Sequence, residues 1–180
     1  MLKTRQSFYI LFPTPLGNAA VIYTDKPFLI LNVLLPQKHK KELVKTIEKY
    51  WKGKAKAHPE SLKIIGTIEK YFKGAAIKPP WEWMDMAGLT PLQQLVLRAT
   101  TDIPYGSVRS YKQIAEAIHR PRAYRFVGST LAKNPFPILI PCHRVIRSDS
   151  SLGQFGGGTD LKRKLIDLEA HFASKKMMQS

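Results

Sequence analysis

What most limits the fold of this chain is the order in which its patterns come. Three runs rich in β-branched and aromatic residues, 7–12, 18–23 and 28–34, open the sequence. Only Pro13-Thr14-Pro15-Leu16-Gly17 and Asp25-Lys26-Pro27 separate them. Connections that short join antiparallel neighbours, so the pattern predicts a small meander. Helical spacing follows over 39–52 and 60–73. Strands first and helices after is the ordering of an α+β fold. The two helical stretches share a near-repeat, Thr46-Ile-Glu-Lys-Tyr-Trp-Lys-Gly53 and Thr67-Ile-Glu-Lys-Tyr-Phe-Lys-Gly74. Each closes on a glycine suited to a left-handed C-terminal cap. Two copies are too few for a solenoid, and the repeat reads as amphipathic helix chemistry used twice.

Residues 75–88, with Pro79-Pro80 and the pair Trp81 and Trp83, read as a connector whose aromatics plug a domain interface. This divides the chain into an N-terminal α/β domain over 1–80, a connector over 81–89, a second domain over 90–174 and a frayed tail over 175–180. The second domain opens at Thr90-Pro91-Leu92-Gln93, a capping box with proline at the first helical position. Its first helix runs to about Thr100 and stops before the turn Ile103-Pro104-Tyr105-Gly106. Ser110-Tyr111-Lys112-Gln113 is a second capping box, opening a helix over 111–118. After His119-Arg120, Pro121 is the expected start of a third helix reaching Lys133. This pair, with Arg122, Arg125 and Lys133 on its second member, has the form of a helix-turn-helix. Thr159 or Asp160 is the expected cap of a last helix over 161–172, with Leu161, Leu165 and Leu168 inward and Lys162, Arg163 and Lys164 partly outward.

Charge narrows the class of partner. The 180 residues hold 29 Lys and Arg against 13 Asp and Glu, a net +16. A field of that sign favours polyanions, and nucleic acid is the commonest in a cell. Residues 1–80 carry 15 basic and 5 acidic residues, nearly all the basic ones Lys, and read as a solvated surface. The stretch 98–147 differs, with 9 basic against 2 acidic residues, and Arg at seven of the basic positions. The planar guanidinium fork suits paired bonds to phosphate and base edges. No apolar run approaches the roughly 20 residues that span a bilayer. The basic start Met1-Leu2-Lys3-Thr4-Arg5 is followed by an apolar stretch broken by Pro13, Pro15 and Gly17, so neither a secretory signal nor a membrane anchor is expected.

Cys142 is the sole cysteine. Intramolecular disulfide bonding is excluded, which fits a reducing compartment, and the five scattered histidines lack the spacing of a structural zinc site. A lone cysteine after an apolar run is by default a small buried hydrophobe. Against that, it lies between Pro141 and His143-Arg144, whose positive or potentially positive side chains favour a thiolate. Prolines 135, 137 and 141 stiffen the approach, and Glu169 is placed to orient His143 as a carboxylate does in a triad. Adjacent residues seldom face each other, so His143 is expected to reach the sulfur through a water, and the His143–Glu169 relay to keep that sulfur ionised.

Pro141-Cys142-His143-Arg144-Val145 resembles the active-site signature of the O6-alkylguanine-DNA alkyltransferases. The resemblance runs from Tyr71-Phe72-Lys73-Gly74 to Glu169. It takes in Thr90-Pro-Leu-Gln93, Ile103-Pro-Tyr-Gly106, Ser110-Tyr111, Pro121, Arg125, Val127-Gly128, Asn134-Pro135 and Gly157-Gly158. Residues 1–70 are similar to the family only loosely, chiefly through Thr14-Pro15-Leu16-Gly17. The resemblance implies a ribonuclease H-like N-terminal domain with a small antiparallel sheet, and a mostly helical, winged-helix-like C-terminal domain. It also implies a monomer without cofactor or metal, in the cytoplasm of a prokaryote or the nucleus of a eukaryote. Double-stranded DNA carrying O6-alkylguanine would be bound through its minor groove. An alkyl group on O6 of guanine, or O4 of thymine, would pass once and irreversibly to Cys142.

By the same resemblance Arg125 enters the base stack in place of an extruded guanine, and Arg122, Ser129 and Lys133 join it on the DNA. Tyr111 contacts the phosphate beside the flipped nucleotide and helps to polarise the base. Asn134 holds the turn before the active-site strand. Pro137, Val145, Phe155, Gly156 and Gly157 line the pocket, and the carbonyls of Cys142 and Val145 accept from the guanine amine. Two positions depart from the family pattern. Phe155-Gly156 stands where Tyr-Ser is usual, and Tyr124 and Phe126 flank Arg125 where small residues are usual. A non-reactive sensor of alkylated DNA, a helix-turn-helix regulator and a Cys-His-Glu hydrolase are the competing readings. Single turnover separates the last of these, and Cys142 argues against the first two.

Overall fold

The computed structural model describes residues 6–178, so the basic start at 1–5 and the last two residues of the expected tail lie outside the described residues. Strands β1 (Ser7–Thr14), β2 (Gly17–Asp25) and β3 (Phe28–Gln37) form the expected antiparallel meander. A two-residue strand, β4 (Lys54–Ala55), adds parallel to β1 and gives the order β3-β2-β1-β4. Nothing so short leaves an alternating pattern to read. At Gly17 the φ is +124°, and a Cβ there would lie 2.6 Å from the Gln37 carbonyl oxygen, so the first turn requires glycine.

The central strand β2 is buried on both faces. Ala20 and Ile22 meet Ile47 of helix α1 (Lys40–Tyr50) on one side. Ala19, Val21 and Tyr23 face the main core, to which helix α2 (Pro59–Phe72) contributes Ile64, Ile68, Tyr71 and Phe72. The two expected glycine caps differ. Gly74 is left-handed at φ +89°, whereas after α1 it is Lys52, at φ +50°, that takes that conformation in place of Gly53.

The connector is pinned at both ends. The Asp85 N–H donates to the Ile30 carbonyl at 2.9 Å. Trp83, in the 3₁₀ turn Trp81–Trp83, meets the Phe28 ring edge-on, and the Arg98 guanidinium lies over Trp81 at 4.5 Å. The tryptophans therefore tie the sheet to the first helix beyond it, α3 (Pro91–Thr101). Both expected capping boxes form, at Thr90 for α3 and at Ser110 for α4 (Tyr111–Ala117).

Helix α5 (Tyr124–Ala132) starts three residues later than Pro121 suggested. His119 is left-handed, and the Ala123 N–H closes a tight turn on the Arg120 carbonyl, so Pro121 sits in that turn instead. Helix α6 (Gly158–Met177) is capped by Gly157, not by Thr159 or Asp160, and continues five residues past Phe172 into the segment expected to fray. Strand β5 (Arg109–Ser110) pairs in parallel with β6 (Val145–Ile146). One continuous core, from Phe12 and Val33 through Tyr71 and Leu97 to Val127, Phe136 and Leu165, joins the sheet to the helices. Among the described residues no helix is long and apolar enough to cross a membrane.

Candidate active site

The segment between α5 and β6 is held in a shape that its sequence alone would not keep. Ile138, a β-branched residue, sits at φ +73°, a conformation that costs about 1–3 kcal/mol and survives only where surroundings fix it. Asn134 supplies that fixing. Its side-chain oxygen accepts from the Phe136 N–H at 3.0 Å, and its amide nitrogen donates to the Ile140 carbonyl at 3.0 Å and to Cys142 Sγ at 3.1 Å. Asn134, expected to hold the turn and to stand with Cys142, His143, Glu169 and Tyr111 among the catalytic residues, touches the sulfur itself. Cys142 opens a 3₁₀ turn, Cys142–Arg144, rather than lying in a strand, and all three of its residues are buried.

That turn leaves the Cys142 sulfur with Asn134 and sends the next two side chains elsewhere. His143 and Arg144 both converge on Glu169 of α6. His143 Nε2 lies 2.6 Å from Oε1, Arg144 Nε donates to Oε2 at 2.8 Å, and an Arg144 terminal nitrogen donates to Oε1 at 3.1 Å. The Gly106 N–H and the Tyr71 hydroxyl, each at 2.9 Å, complete five donors around one carboxylate. Burial alone would raise this acid, but His143 and Arg144 overcome it and hold Glu169 down to about 2. A carboxylate facing Nε2 fixes the proton on that nitrogen. Nδ1 therefore keeps its lone pair, and it is buried with no partner among the described residues.

These contacts revise the expected electrostatics. Arg144 is turned to Glu169 and the Ile103 carbonyl, and burial, helped by the Arg144 and Lys162 charges, lowers His143 and keeps it neutral. Neither neighbour in sequence gives the sulfur a positive charge. The cation that acts on Cys142 is Lys162, which the helical pattern had turned partly outward. It is wholly buried, and its ammonium donates to the Val145 carbonyl at 2.6 Å and lies 5.8 Å from the Tyr111 ring centre. Burial brings Lys162 down to about 8. Burial also pushes the Cys142 thiol up, against the Asn134 bond and the Lys162 charge, the opposite direction to the one its sequence neighbours suggested. Helical spacing carried the missed signal: 162, 165 and 169 fall on one face, and that face is buried where the 161, 165 and 168 stripe is only partly so.

The β5–β6 pairing sets Ser110 beside Ile146, so Tyr111, the first residue of α4, stands next to the cysteine segment. Its ring packs where Gly128 of α5 and Gly153 leave room: a Cβ at 153 would come within 2.8 Å of the hydroxyl. Phe155 meets the His143 ring edge-on at 6.5 Å, and Pro137 is buried. Nothing lies within 4 Å of the Cβ position of Gly156, whereas Gly157 is crowded by Leu161, Leu35 and Phe155. Val145 offers its carbonyl to Lys162, and the Cys142 carbonyl accepts from the Val145 N–H.

Away from this centre, Arg122, Arg125, Ser129 and Lys133 are exposed on and around α5. The Ser129 hydroxyl bonds back to the Phe126 carbonyl. The two bulky flanks of Arg125 divide: Phe126 packs on the core, while Tyr124 is 46% exposed with the Arg125 guanidinium 6.0 Å from its ring centre. Tyr71, from the N-terminal unit, joins Lys162 as a residue of the site to which the sequence pattern assigned no role.

Residues 91–171 match the family model for the DNA-binding domain of 6-O-methylguanine DNA methyltransferase. The methylated-DNA–protein-cysteine methyltransferase of Methanosarcina barkeri is 50% identical over 80 residues, 44% of this chain and 51% of its own. That of Mycobacterium leprae is 46% identical over 88 residues, 49% of this chain and 53% of its own. The chain thus spans about half the length of the curated relatives it matches. Solved structures extend the likeness. The Mycobacterium tuberculosis OGT in complex with DNA is 30% identical, with TM-score 0.70, over 92% of this chain and 94% of its own. The methyltransferase from Pyrococcus kodakaraensis KOD1 shares the fold at TM-score 0.71 and 20% identity, over 91% of this chain and 99% of its own. With the sequence match taking in the Cys142 segment and a 30% identical structural match running over 92% of the chain, the chain belongs to the O6-methylguanine-DNA methyltransferase family.

Proposed function

We propose that this protein repairs double-stranded DNA by transferring a methyl or other alkyl group from O6 of guanine, and O4 of thymine, irreversibly to Cys142. The observation that carries the reading is the arrangement around the sulfur. A sole cysteine is held by Asn134, and the neutral His143 beside it has Nε2 committed to Glu169 and an unpartnered Nδ1. A water between Sγ and Nδ1 takes the thiol proton to His143, and Glu169 stabilises the imidazolium that results. Lys162 favours the thiolate as it forms. Sulfur attacks the alkyl carbon in line, the C–O bond breaks as the C–S bond forms, and guanine keeps the electron pair and takes up a proton. A thioether has no return path, so each molecule acts once.

The exposed arginines of α5 and the net charge of +16 support a DNA partner, and α4 with α5 reads as a helix-turn-helix entering the minor groove. Arg125 fills the space of the extruded base, Arg122, Ser129 and Lys133 meet the backbone, and Tyr111 meets the phosphate beside it. Pro137, Val145, Phe155, Gly156 and Gly157 form the pocket, with the open position at Gly156 leaving room that a serine side chain would take. The β3-β2-β1-β4 order fits a ribonuclease H-like N-terminal domain over 1–80, and the β5–β6 pair fits a winged-helix-like domain over 90–174. The protein acts as a monomer without cofactor or metal, in the compartment that holds the DNA. The test is intact-protein mass after incubation with O6-methylguanine duplex. One methyl group mapped to Cys142, none on Cys142→Ser, and duplex binding kept by that variant are the expected results. Methyl on another residue, or repeated turnover, overturns the reading.

A further inference from the structure

The carboxylate that orients His143 has one donor from outside the C-terminal unit. Tyr71 lies near the end of α2, outside the 91–171 span, yet its hydroxyl is 2.9 Å from Glu169 Oε1 and 3.2 Å from His143 Nε2. The residue is fully buried, its ring is edge-on to His143 at 6.0 Å, and the Tyr105 hydroxyl donates to its carbonyl. With Nε2 donating to Oε1, the Tyr71 hydroxyl has one acceptor left to it, the same Oε1.

We propose, on the alkyl-transfer reading, that Tyr71 is a positioning residue: by donating to Glu169 it weakens the carboxylate's pull on His143 and keeps that imidazole neutral until the thiol offers its proton. A base beside a buried carboxylate would ordinarily be protonated already. Glu169 faces His143 directly, and one carboxylate in a dry site pulls hard on a proton. The other charged and titratable groups around the ring are Arg144 beside it, Lys162 on α6, Cys142 before it, Tyr105 in the turn after α3, and Tyr71 from α2. Arg144 and Lys162 repel a proton on His143 by charge. Tyr71 acts differently: it carries no charge and occupies a lone pair of the carboxylate at the oxygen that His143 uses. Its phenol is itself held far from ionisation by burial and by Glu169, so it stays a donor throughout.

Removing the hydroxyl makes Glu169 a stronger partner for the imidazolium, so His143 gains a proton at higher pH and can no longer accept one from the thiol. Strengthening the donor does the opposite. In the full chain, an NMR titration of the His143 ring is expected to move up by about one pH unit in Tyr71→Phe, a tenfold change in proton affinity. It is expected to move down when position 71 carries 3-fluorotyrosine, which keeps ring and hydroxyl but donates more strongly. The acid limb of the single-turnover rate should follow in both variants. It should do so equally with free O6-benzylguanine and with O6-methylguanine duplex, because the effect lies at the protein's own base. Affinity for undamaged duplex should not change. A His143 titration that coincides in all three proteins overturns the proposal, as does a uniform rate loss without a shift in pH. Should Tyr71→Phe fail to fold, the fluorotyrosine protein decides by the direction of its shift. If the wild type transfers no alkyl group, the alkyl-transfer reading fails, and the ring titration still judges Tyr71 by itself.

Discussion

The two halves of the molecule relate to their family in opposite ways. Residues 91–171 match by sequence, while the sheet and its helices match through structure, in likenesses that cover about nine-tenths of the chain. The difference follows from what each half must supply. A meander packed on two helices asks only that apolar residues alternate correctly, and many sequences satisfy that. The cysteine segment asks for particular atoms at particular places: an amide at Asn134, an imidazole at His143, a carboxylate at Glu169. Tyr71 is the exception that joins the halves. It belongs to the sequence-tolerant unit, yet its hydroxyl bonds Glu169 alongside Gly106, His143 and Arg144 of the other unit.

If the halves are welded at Glu169, its removal should cost more stability than any other substitution in the site. Glu169→Ala leaves Arg144 as a buried, uncompensated charge and strips partners from Tyr71 and the Gly106 N–H, an expected loss of about 3–5 kcal/mol in urea unfolding. The pH dependence has a definite sign. Glu169 is held to about 2 in the folded state against an unfolded value of about 4.3. A depressed acid stabilises fully above the unfolded value, and that contribution, roughly 3 kcal/mol, is lost as the pH falls from about 5 towards 2. Glu169→Ala should flatten the wild-type stability curve across that window. Parallel curves would show that the two halves are not joined through this carboxylate.

The second change keeps stability and divides the chemistry from the DNA. Arg125→Ala, on the exposed side of α5, should slow repair of duplex O6-methylguanine by tens of fold, about 2 kcal/mol, since extrusion must then proceed with the stack unfilled. Reaction with free O6-benzylguanine, which needs no extrusion, should stay near the wild-type rate. Equal losses on the two substrates would make Arg125 part of the frame.

How far this could be read beforehand divides along the same line. Capping boxes at Thr90 and Ser110, the meander and the Gly106 turn follow from local chemistry, and each stands where local chemistry put it. Cys142, His143, Asn134 and Glu169 were legible as a group because the resemblance carried them. What adjacency suggested about charge was misleading. Arg144 neighbours the sulfur in sequence and faces away from it in space, while Lys162, 20 positions on, supplies the charge that favours the thiolate. A lysine on a helix reads as solvent-facing until burial is known, because only tertiary packing closes over it. Tyr71 stands where the resemblance begins, but no role could be read from it, since an aromatic on the apolar face of α2 is ordinary core. The start of α5 was misplaced because proline at a helix start and proline in the turn before it look alike in one sequence.

The smallest expected effect tests whether the two kinds of basic surface do different work. Helix α1 and its flanks expose Lys38, Lys40, Lys41, Lys45 and Lys49 on the face of the sheet opposite the main core, where Ile47 packs on Ala20 and Ile22. Helix α5 and its approach expose Arg122, Arg125 and Lys133. Counting charge alone, the lysine face is the stronger polyanion site. The proposed function reverses that order, because on it a duplex that delivers a base to Cys142 runs along α5, and α1 packs on the far face of the sheet. Each phosphate neutralised releases a counterion, so the slope of log affinity against log salt falls by roughly one for every phosphate that a variant no longer neutralises. Lys133→Ala should lower that slope by about one on undamaged duplex, a loss of only a few fold near physiological salt. Replacing Lys40, Lys41 and Lys45 together by Gln should lower the net charge from +16 to +13 and leave the slope within error of wild type. Diffuse field effects would still lower the association rate slightly at low salt, and screening would remove that difference once the Debye length falls to about 8 Å. A slope that drops by two or three in the lysine variant would mean that the N-terminal unit also lies on the phosphate backbone, and the division of labour between the halves would be wrong.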